Sequence, residues 1–162
     1  RNMARLNVTI PLVGTAGGVT PPYIEGAGDL VNGTRAASSA TMGVDPYPTE
    51  TQKFLDLYVE KHGKDRWWGP EEDRAQIPIA TTVGSGYDCA NLLFTAIKNA
   101  GSTEAAAVVA EMEKITDFPG ASVESISFSE AKHDALTVDG LTMYEMRATD
   151  NGMALKPLEA QK

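Results

Sequence analysis

The sequence predicts an α/β fold, because short apolar segments typical of strands alternate along the chain with longer segments of helical periodicity. Glycine and proline separate these segments, and no internal repeat or low-complexity tract interrupts the alternation. The 162 residues suffice for one domain with a core, and the hydrophobic (42%) and charged (22%) fractions are ordinary for a globular protein.

The first elements surround a glycine-rich turn. Ile10–Val13 is an apolar run that predicts a buried strand, and residues 14–18 then form the turn. Thr20 and Pro21 have the character of an N-cap and a first helical position, so a short helix is expected from Pro21. Residues 34–40 predict a second strand after it.

The clearest helix follows. Thr49–Gln52 has the form of a capping box, in which the side chains of Thr49 and Gln52 satisfy free backbone N–H groups. Phe54 and Tyr58 belong to an apolar face at helical spacing. Gly63 supplies the left-handed position that ends the helix. Residues 64–76, which include Trp67 and Trp68, predict a loop.

The next segments predict a strand, a break and a helix. Residues 77–83 are apolar and β-branched, which favours a strand, and Gly84–Gly86 is expected to interrupt the chain. Tyr87–Ala100 is apolar almost all round and predicts a well-buried helix that contains Cys89 as a small buried hydrophobe. Asp88 is expected to stabilise the positive N-terminal end of that helix.

The last elements are a helix and two strands. Ser102 or Thr103 is expected to cap a helix on which Val108, Met112 and Ile115 form one apolar stripe. Val123–Phe128 and Leu141–Met146 both alternate in polarity and predict strands. The span from residue 40 to 90 contains little strand, which fits poorly with one compact sheet. The sequence therefore predicts that part of the structure is missing or shared.

Charge and composition exclude several function classes. The net charge of −8 argues against a nucleic-acid partner, because phosphate binding needs a basic surface. No apolar run approaches the ~18 residues of a membrane span. His62, His133 and the lone Cys89 have no metal-ligand spacing, and His133 is expected in a surface loop. We predict no metal, no cofactor and no catalytic residue.

The order and spacing of five patches resemble the type I periplasmic binding proteins that serve the uptake of branched-chain amino acids, amides and aromatic acids. These patches are Ile10–Thr15 followed by Gly28, Asp29 and Gly33; Phe54, Leu55 and Tyr58; Gly86–Asp88 with Ala96, Ile97 and Ala100–Ser102; Phe118–Gly120 with Phe128 and His133; and the turn around Asp150–Gly152. The resemblance spans nearly the whole chain.

The resemblance implies part of a two-lobe fold. Members of that family are roughly twice as long, and their chain crosses between two α/β lobes three times. Residues 1–40 would be a segment of the carboxy-terminal lobe, residues 41–121 would return to the amino-terminal lobe, and residues 122–162 would complete the carboxy-terminal lobe. The middle helices would then pack on a sheet made by residues outside this chain. We expect apolar helix faces in the region 87–115 to lie exposed unless a missing lobe or companion chain covers them.

The resemblance also implies a function and a site. It predicts the periplasmic substrate-binding component of an ABC importer, with a membrane permease as partner and a small-molecule ligand between the lobes. The candidate ligand-binding residues are Thr15, Ala16 and Gly17, in the turn after the first strand. Amino acid binders of the family carry an acidic residue where this chain has Ala16. An amide, an aromatic carboxylate or another uncharged-to-anionic metabolite is therefore favoured over a plain α-amino acid, because an unpaired buried ammonium is costly.

Other classes stay open at this point. A ligand-sensing regulatory domain of the same fold would have the same residues. A small α/β hydrolase is the enzymatic alternative, but Val83–Gly86 has a serine without the spacing of a nucleophile elbow. Nucleotide binding by residues 14–18 is disfavoured, because no Lys-Ser/Thr pair follows the glycines.

Overall fold

The computed structural model describes residues 1–15, 21–39, 46–63, 80–149 and 152–158. Within these residues the chain forms five α-helices and four β-strands, with short 3-10 helices at Gly28–Val31 and Val138–Gly140. The elements are α1 (Asn2–Arg5), β1 (Val13–Thr15), α2 (Pro21–Ala27), β2 (Arg35–Ser39), α3 (Thr49–His62), α4 (Ala80–Ala100), α5 (Ala105–Met112), β3 (Leu141–Thr149) and β4 (Gly152–Pro157). The predicted α/β class is confirmed.

The four described strands form one mixed sheet in the order β1-β2-β3-β4. β1 and β2 are parallel, whereas β3 is antiparallel to both β2 and β4. The alternation predicted for residues 141–146 is confirmed: Tyr144 and Met146 are fully buried, while Leu141 and Met143 are exposed on the opposite face. The buried face packs against α2, and its core consists of Val31, Ala36, Tyr144 and Met146 with Tyr23, Ile24 and Ala27 beside them.

The helices α3 and α4 and the segment after α5 pack around apolar clusters that are separate from the core of the sheet. One cluster contains Phe54, Leu55 and Ala121, with Tyr47, Tyr58, Val83 and Tyr87 packed against it. The other contains Leu92, Ile115, Val123 and Ile126, with Met112, Phe118, Phe128 and Ala135. In the described residues, the sheet with α2 and the helices α3–α5 are thus two separately packed bodies.

The predictions of a strand at residues 77–83 and of a break at Gly84–Gly86 are wrong for the described residues, 80–86. The helix α4 begins at Ala80 and continues through Gly84–Gly86. Tertiary packing outweighs the β-branched character of Val83, whose side chain lies in this helix against the cluster of Phe54 and Leu55. Gly84 faces the Cβ atom of Ser122, and an added Cβ on Gly84 would lie 3.3 Å from it. That glycine therefore permits close packing instead of ending the helix.

The first predicted strand is displaced. The strand is Val13–Thr15, and its three residues are exposed, as are Ile10 and Leu12 before it. The prediction of a buried strand here is therefore wrong. Pro11 has no N–H to donate, and the first backbone bond at this edge runs from Arg35 to the carbonyl of Leu12. The second predicted strand, by contrast, is confirmed as β2.

Two further local predictions are wrong. Residues 123–128 form no strand; Ile126 makes a single bridge to Phe118, and the segment packs on α4 as an irregular chain. The capping box of α3 does not form, because Pro48 occupies the N-cap and the Gln52 side chain donates to Asp56 instead (2.8 Å). The end of α3 is as predicted, with Gly63 at a φ of 67°.

The helix α4 is less buried than its sequence suggests. Leu92 and Ala96 lie in the interior, but Cys89 is exposed, and Leu93 and Phe94 are 45% and 66% exposed. The interpretation of Cys89 as a buried hydrophobe is therefore wrong. The expectation of exposed apolar helix faces in the region 87–115 is met by Leu93, Phe94 and, on α5, Val109. Among the described helices, none is both long and apolar enough to cross a membrane.

Candidate functional site

The predicted site residue Thr15 lies at the carboxyl end of β1. Because β2 is parallel to β1, its last residues, Ser38 and Ser39, end at the same edge of the sheet. A cavity of about 460 Å³ opens at this edge, and Thr15, Ser38 and Ser39 form its sheet wall together with Ala37 and Leu141. Ligands of α/β proteins commonly bind outside the carboxyl ends of parallel strands, so this cavity is the candidate site.

The opposite wall of the cavity comes from α4 and from the segment after residue 120. Two successive turns of α4 contribute Ser85, Asp88, Cys89 and Leu92. The later segment contributes Ser122, Val123, Ile126, Phe128, Ala135 and Leu136. The cavity therefore lies between the two separately packed bodies, where small-molecule sites are common.

Asp88 holds the helical wall together. Its carboxylate is 3% exposed and accepts hydrogen bonds from the backbone N–H groups of Ala121 (2.7 Å) and Ser122 (2.8 Å) and from the Ser122 hydroxyl (2.6 Å). Hydrogen bonds to a charged acceptor are stronger than neutral ones, so the three bonds stabilise the buried charge. They also fix the turn at residues 120–122 to the middle of α4.

The same turn is packed tightly and tied to α3. An added Cβ on Gly120 would lie 2.6 Å from the carbonyl oxygen of Val123 and 3.0 Å from a carboxylate oxygen of Asp88. The hydroxyl of Thr51 on α3 donates to the carbonyl of Ala121 (2.9 Å). Glycine at position 120 is therefore required by the close approach of the Val123 carbonyl, with the carboxylate of Asp88 nearby.

The sheet wall has its own anchor. The hydroxyl of Tyr144 donates to the carbonyl of Ser39 at 2.8 Å, at the point where β2 ends. Burial raises the pKa of Tyr144 to about 12, an effect to which nearby Tyr47 adds and which a hydrogen bond with Thr142 partly offsets. Tyr144 therefore stays neutral at physiological pH and remains a hydrogen-bond donor.

Of the other residues singled out in the sequence, four lie outside the described residues and two lie on α4. Ala16 and Gly17, the other two predicted ligand-binding residues, lie outside the described residues, as do Trp67 and Trp68. Asp88 lies in the middle of α4, so the prediction that it stabilises the helix N-terminus is wrong. Tyr87 packs as predicted, with its ring 5.2 Å from that of Phe54.

The histidines lie apart from the cavity walls. His62 is the last residue of α3 and its ring lies 5.0 Å from that of Tyr58. His133 is exposed, as predicted, and its Nε2 is 2.9 Å from a carboxylate oxygen of Glu113. Within the described part of the chain, His, Cys, Asp and Glu side chains form no group that could hold a metal ion.

Most residues that line the cavity were not predicted from the sequence. Ser38 and Ser39 could have been found, because they end a predicted strand in the same way as Thr15. Ser85 and Cys89 could not, since their segment was interpreted as a break and a buried helix. Ser122 becomes part of the site through its contact with Asp88, which no local pattern indicates.

A second cavity, of about 630 Å³, lies at the amino ends of β1 and β2. Its lining includes the exposed segment before β1 and the ion pair of Arg35 with Glu145 (2.9 Å). The hydrogen bond from Arg35 lowers the pKa of Glu145, with a smaller contribution from Arg147. None of the predicted site residues that the structure describes lines this second cavity, and it lies at the amino ends of the parallel strands, so we assign the candidate site to the first cavity.

Comparisons with known proteins agree with this architecture. No protein-family model matches the chain, and no curated protein matches it. Among solved structures, a type 1 periplasmic binding protein from Bordetella pertussis Tohama I is similar over 98% of this chain, with 37% identity and a TM-score of 0.87; the match covers 42% of that protein.

Two more distant structures have the same fold. They are the leucine-binding protein LivK from Thermotoga maritima MSB8 (23% identity, TM-score 0.69, 96% of this chain and 39% of that one) and an ABC transporter substrate-binding protein from Sphaerobacter thermophilus (16% identity, TM-score 0.67, 98% and 38%). This chain thus belongs to the type I periplasmic binding proteins, and it spans about two fifths of the length of the members that it matches.

Proposed function

We propose that the chain is part of the extracytoplasmic substrate-binding component of an ABC importer, and that it captures a small molecule in the cavity at the carboxyl ends of β1 and β2. The observation that carries the proposal is the position of this cavity between two bodies with separate cores. Closure of two such bodies around a ligand excludes water and strengthens polar contacts. The membrane partner would be the permease of the importer, and the location would be periplasmic.

The division of the chain into segments follows from the same proposal. Residues 1–40 and 122–162 would belong to the carboxy-terminal lobe and residues 41–121 to the amino-terminal lobe. The start of the last segment, with Val123, Ile126 and Phe128, would then be the crossing that still packs on α4. The exposed side chains of Leu93, Phe94 and Val109 would be covered by the rest of that lobe, because the similar structures are more than twice as long as this chain. In that arrangement the chain supplies one part of the cavity and the rest of the protein closes it.

The ligand contacts would include the hydroxyl of Thr15 and the backbone of Ala16 and Gly17. The absence of a carboxylate at position 16 leaves no partner in this turn for the ammonium group of an amino acid. We therefore propose an amide or an aromatic acid as ligand in preference to a plain α-amino acid such as leucine.

The cavity has a natural reporter, because Cys89 is the one cysteine of the chain, is exposed and lines the cavity. The experiment measures the rate at which a thiol reagent alkylates the purified protein in the presence of candidate solutes. A solute that covers the thiol when bound should slow alkylation about tenfold at a concentration ten times its Kd, because about nine tenths of the sites are then occupied.

The control for this experiment moves the thiol away from the cavity. In the double variant Cys89→Ser, Thr103→Cys the thiol lies on the exposed connection between α4 and α5. The same solute should leave its alkylation rate unchanged. Equal protection of both thiols, or binding by calorimetry with no protection of Cys89, would contradict the assignment of the ligand to this cavity.

A further inference from the structure

The described walls of the cavity are poor in charge. The ionisable groups among them are the carboxyl group of Asp88 and the thiol of Cys89. The carboxylate of Asp88 is directed at protein donors: it is 3% exposed and accepts hydrogen bonds from Ala121 and Ser122. Lysine, arginine and histidine do not occur among the described lining residues. The five residues that follow Thr15 in the sequence, 16–20, contain no ionisable side chain either.

The remaining lining is apolar with a few hydroxyl groups. Exposed hydroxyls of Thr15 and Ser85 stand on opposite walls. Between them the surface is formed mostly by hydrocarbon, from Leu92, Val123, Ile126, Phe128, Leu136 and Leu141. A cavity of about 460 Å³ is in the range that accommodates a small organic molecule.

We propose that the part of the ligand that enters this cavity is an uncharged, apolar group with one hydrogen-bonding function, such as an aromatic alcohol or amide. The proposal rests on the proposed function, because it takes the cavity as the ligand site. A charged group would lose its hydration here, which is unfavourable without compensation. The described walls hold no cation to pair with an anion, and the carboxylate of Asp88 that could attract a cation already accepts hydrogen bonds from Ala121 and Ser122. A carboxylate would in addition approach the negative charge of Asp88. The absence of a carboxylate at position 16 disfavours an ammonium group, and the absence of a cation in the described walls disfavours an acid as well.

The test uses three probes of nearly equal size: benzyl alcohol, benzoate and benzylammonium. Their affinities are measured with the wild-type protein by isothermal calorimetry and by protection of Cys89 from alkylation. We expect benzyl alcohol to bind at least about tenfold more tightly than either charged probe, a difference of about 1.4 kcal/mol. Both readouts should rank the probes in the same order.

A gain-of-function variant tests the reason for the preference. Leu136 lies on the cavity wall and is 43% exposed, so Leu136→Lys adds a cation without removing a core residue. The variant should bind benzoate at least about tenfold better than the wild-type protein does. Leu136→Gln is the matched neutral control and should leave benzoate binding weak.

The outcomes separate the two proposals. Equal or tighter binding of benzoate or benzylammonium to the wild-type protein, with protection of Cys89, would overturn the ligand class and leave the cavity as the site. Failure of all three probes to protect Cys89 in both the wild-type protein and the lysine variant would contradict the cavity as the site, and the ligand class would fall with it.

Discussion

Replacement of Asp88 by asparagine tests the best-defined contact of the candidate site. Asparagine keeps the size of the side chain but turns one of the two oxygens into an NH₂ group, which cannot accept a hydrogen bond. If the remaining oxygen accepts from the backbone N–H and hydroxyl of Ser122, the new NH₂ group faces the N–H of Ala121, with which Asp88 now forms a 2.7 Å bond. One buried backbone donor is then left without its acceptor.

The magnitude follows from these contacts. A buried donor that loses its partner destabilises the fold by about 1–3 kcal/mol, and hydrogen bonds to a charged acceptor are worth up to about 1.5 kcal/mol more than neutral ones. The loss of one bond of Asp88 and the weakening of the other two therefore predict a decrease of about 3 kcal/mol in the free energy of unfolding. For a chain of this size the midpoint of thermal unfolding should fall by roughly 6–12 °C.

The assay is urea denaturation of the purified protein, followed by circular dichroism and by tryptophan fluorescence. The midpoint should fall while the m-value stays constant, because the change removes contacts without altering the surface exposed on unfolding. Glu124→Gln is the control, since Glu124 is an exposed carboxylate two residues after Ser122 and its replacement removes the same charge. That variant should stay within about 0.5 kcal/mol of the wild-type protein.

Equal free energies of unfolding for Asp88→Asn and Glu124→Gln would contradict the stabilising role of Asp88. Such a result would mean that the three short bonds of Asp88 contribute no more than an exposed carboxylate does. The turn at residues 120–122 would then be held by apolar packing and by Thr51, and Asp88 would have no special part in the cavity wall.

Further predictions concern other close contacts. In the same denaturation assay, Gly120→Ala should destabilise the protein by about 1–3 kcal/mol, because the added Cβ has no room. Gly86→Ala should instead stabilise the protein by about 0.5–1 kcal/mol, because Gly86 lies on the exposed side of α4 and an added Cβ has no atom within 4 Å. Glu145→Gln should lower stability at neutral pH by less than about 1 kcal/mol, because the pair with Arg35 is partly exposed. Since the pKa of Glu145 is lowered in the folded state, the difference between the variants should be fully present above the ordinary value of 4.5 and vanish as the pH falls below it; a difference that grows in acid would contradict the ion pair. Tyr144→Phe should remove a tyrosine ionisation near pH 12 from an ultraviolet titration. It should also weaken the loss of stability that the raised pKa of Tyr144 predicts as the pH rises from 10 towards 12.

The sequence predicted those elements whose cause is local. The alternation in β3 identified Tyr144 and Met146 as one face, because side chains of a strand point to opposite sides at a period of two. Pro21 and Gly63 marked the start of α2 and the end of α3, since each restricts or permits a backbone angle by its own chemistry. The order of the motifs was sufficient to identify the family, and it placed Thr15 at the end of a strand in the candidate site.

Which side chains come together to form the walls of the cavity depends on the tertiary structure alone. The partners of Asp88 lie 33 and 34 residues further along the chain, so no window of neighbouring residues indicates them. Close approaches of other residues likewise explain two glycines that local rules interpret as a break and a turn: Gly84 faces Ser122, and Gly120 faces the carbonyl of Val123. The exposure of Cys89 has a related cause. An apolar sequence indicates that a helix packs against other elements, but only the fold determines which face of the helix is covered.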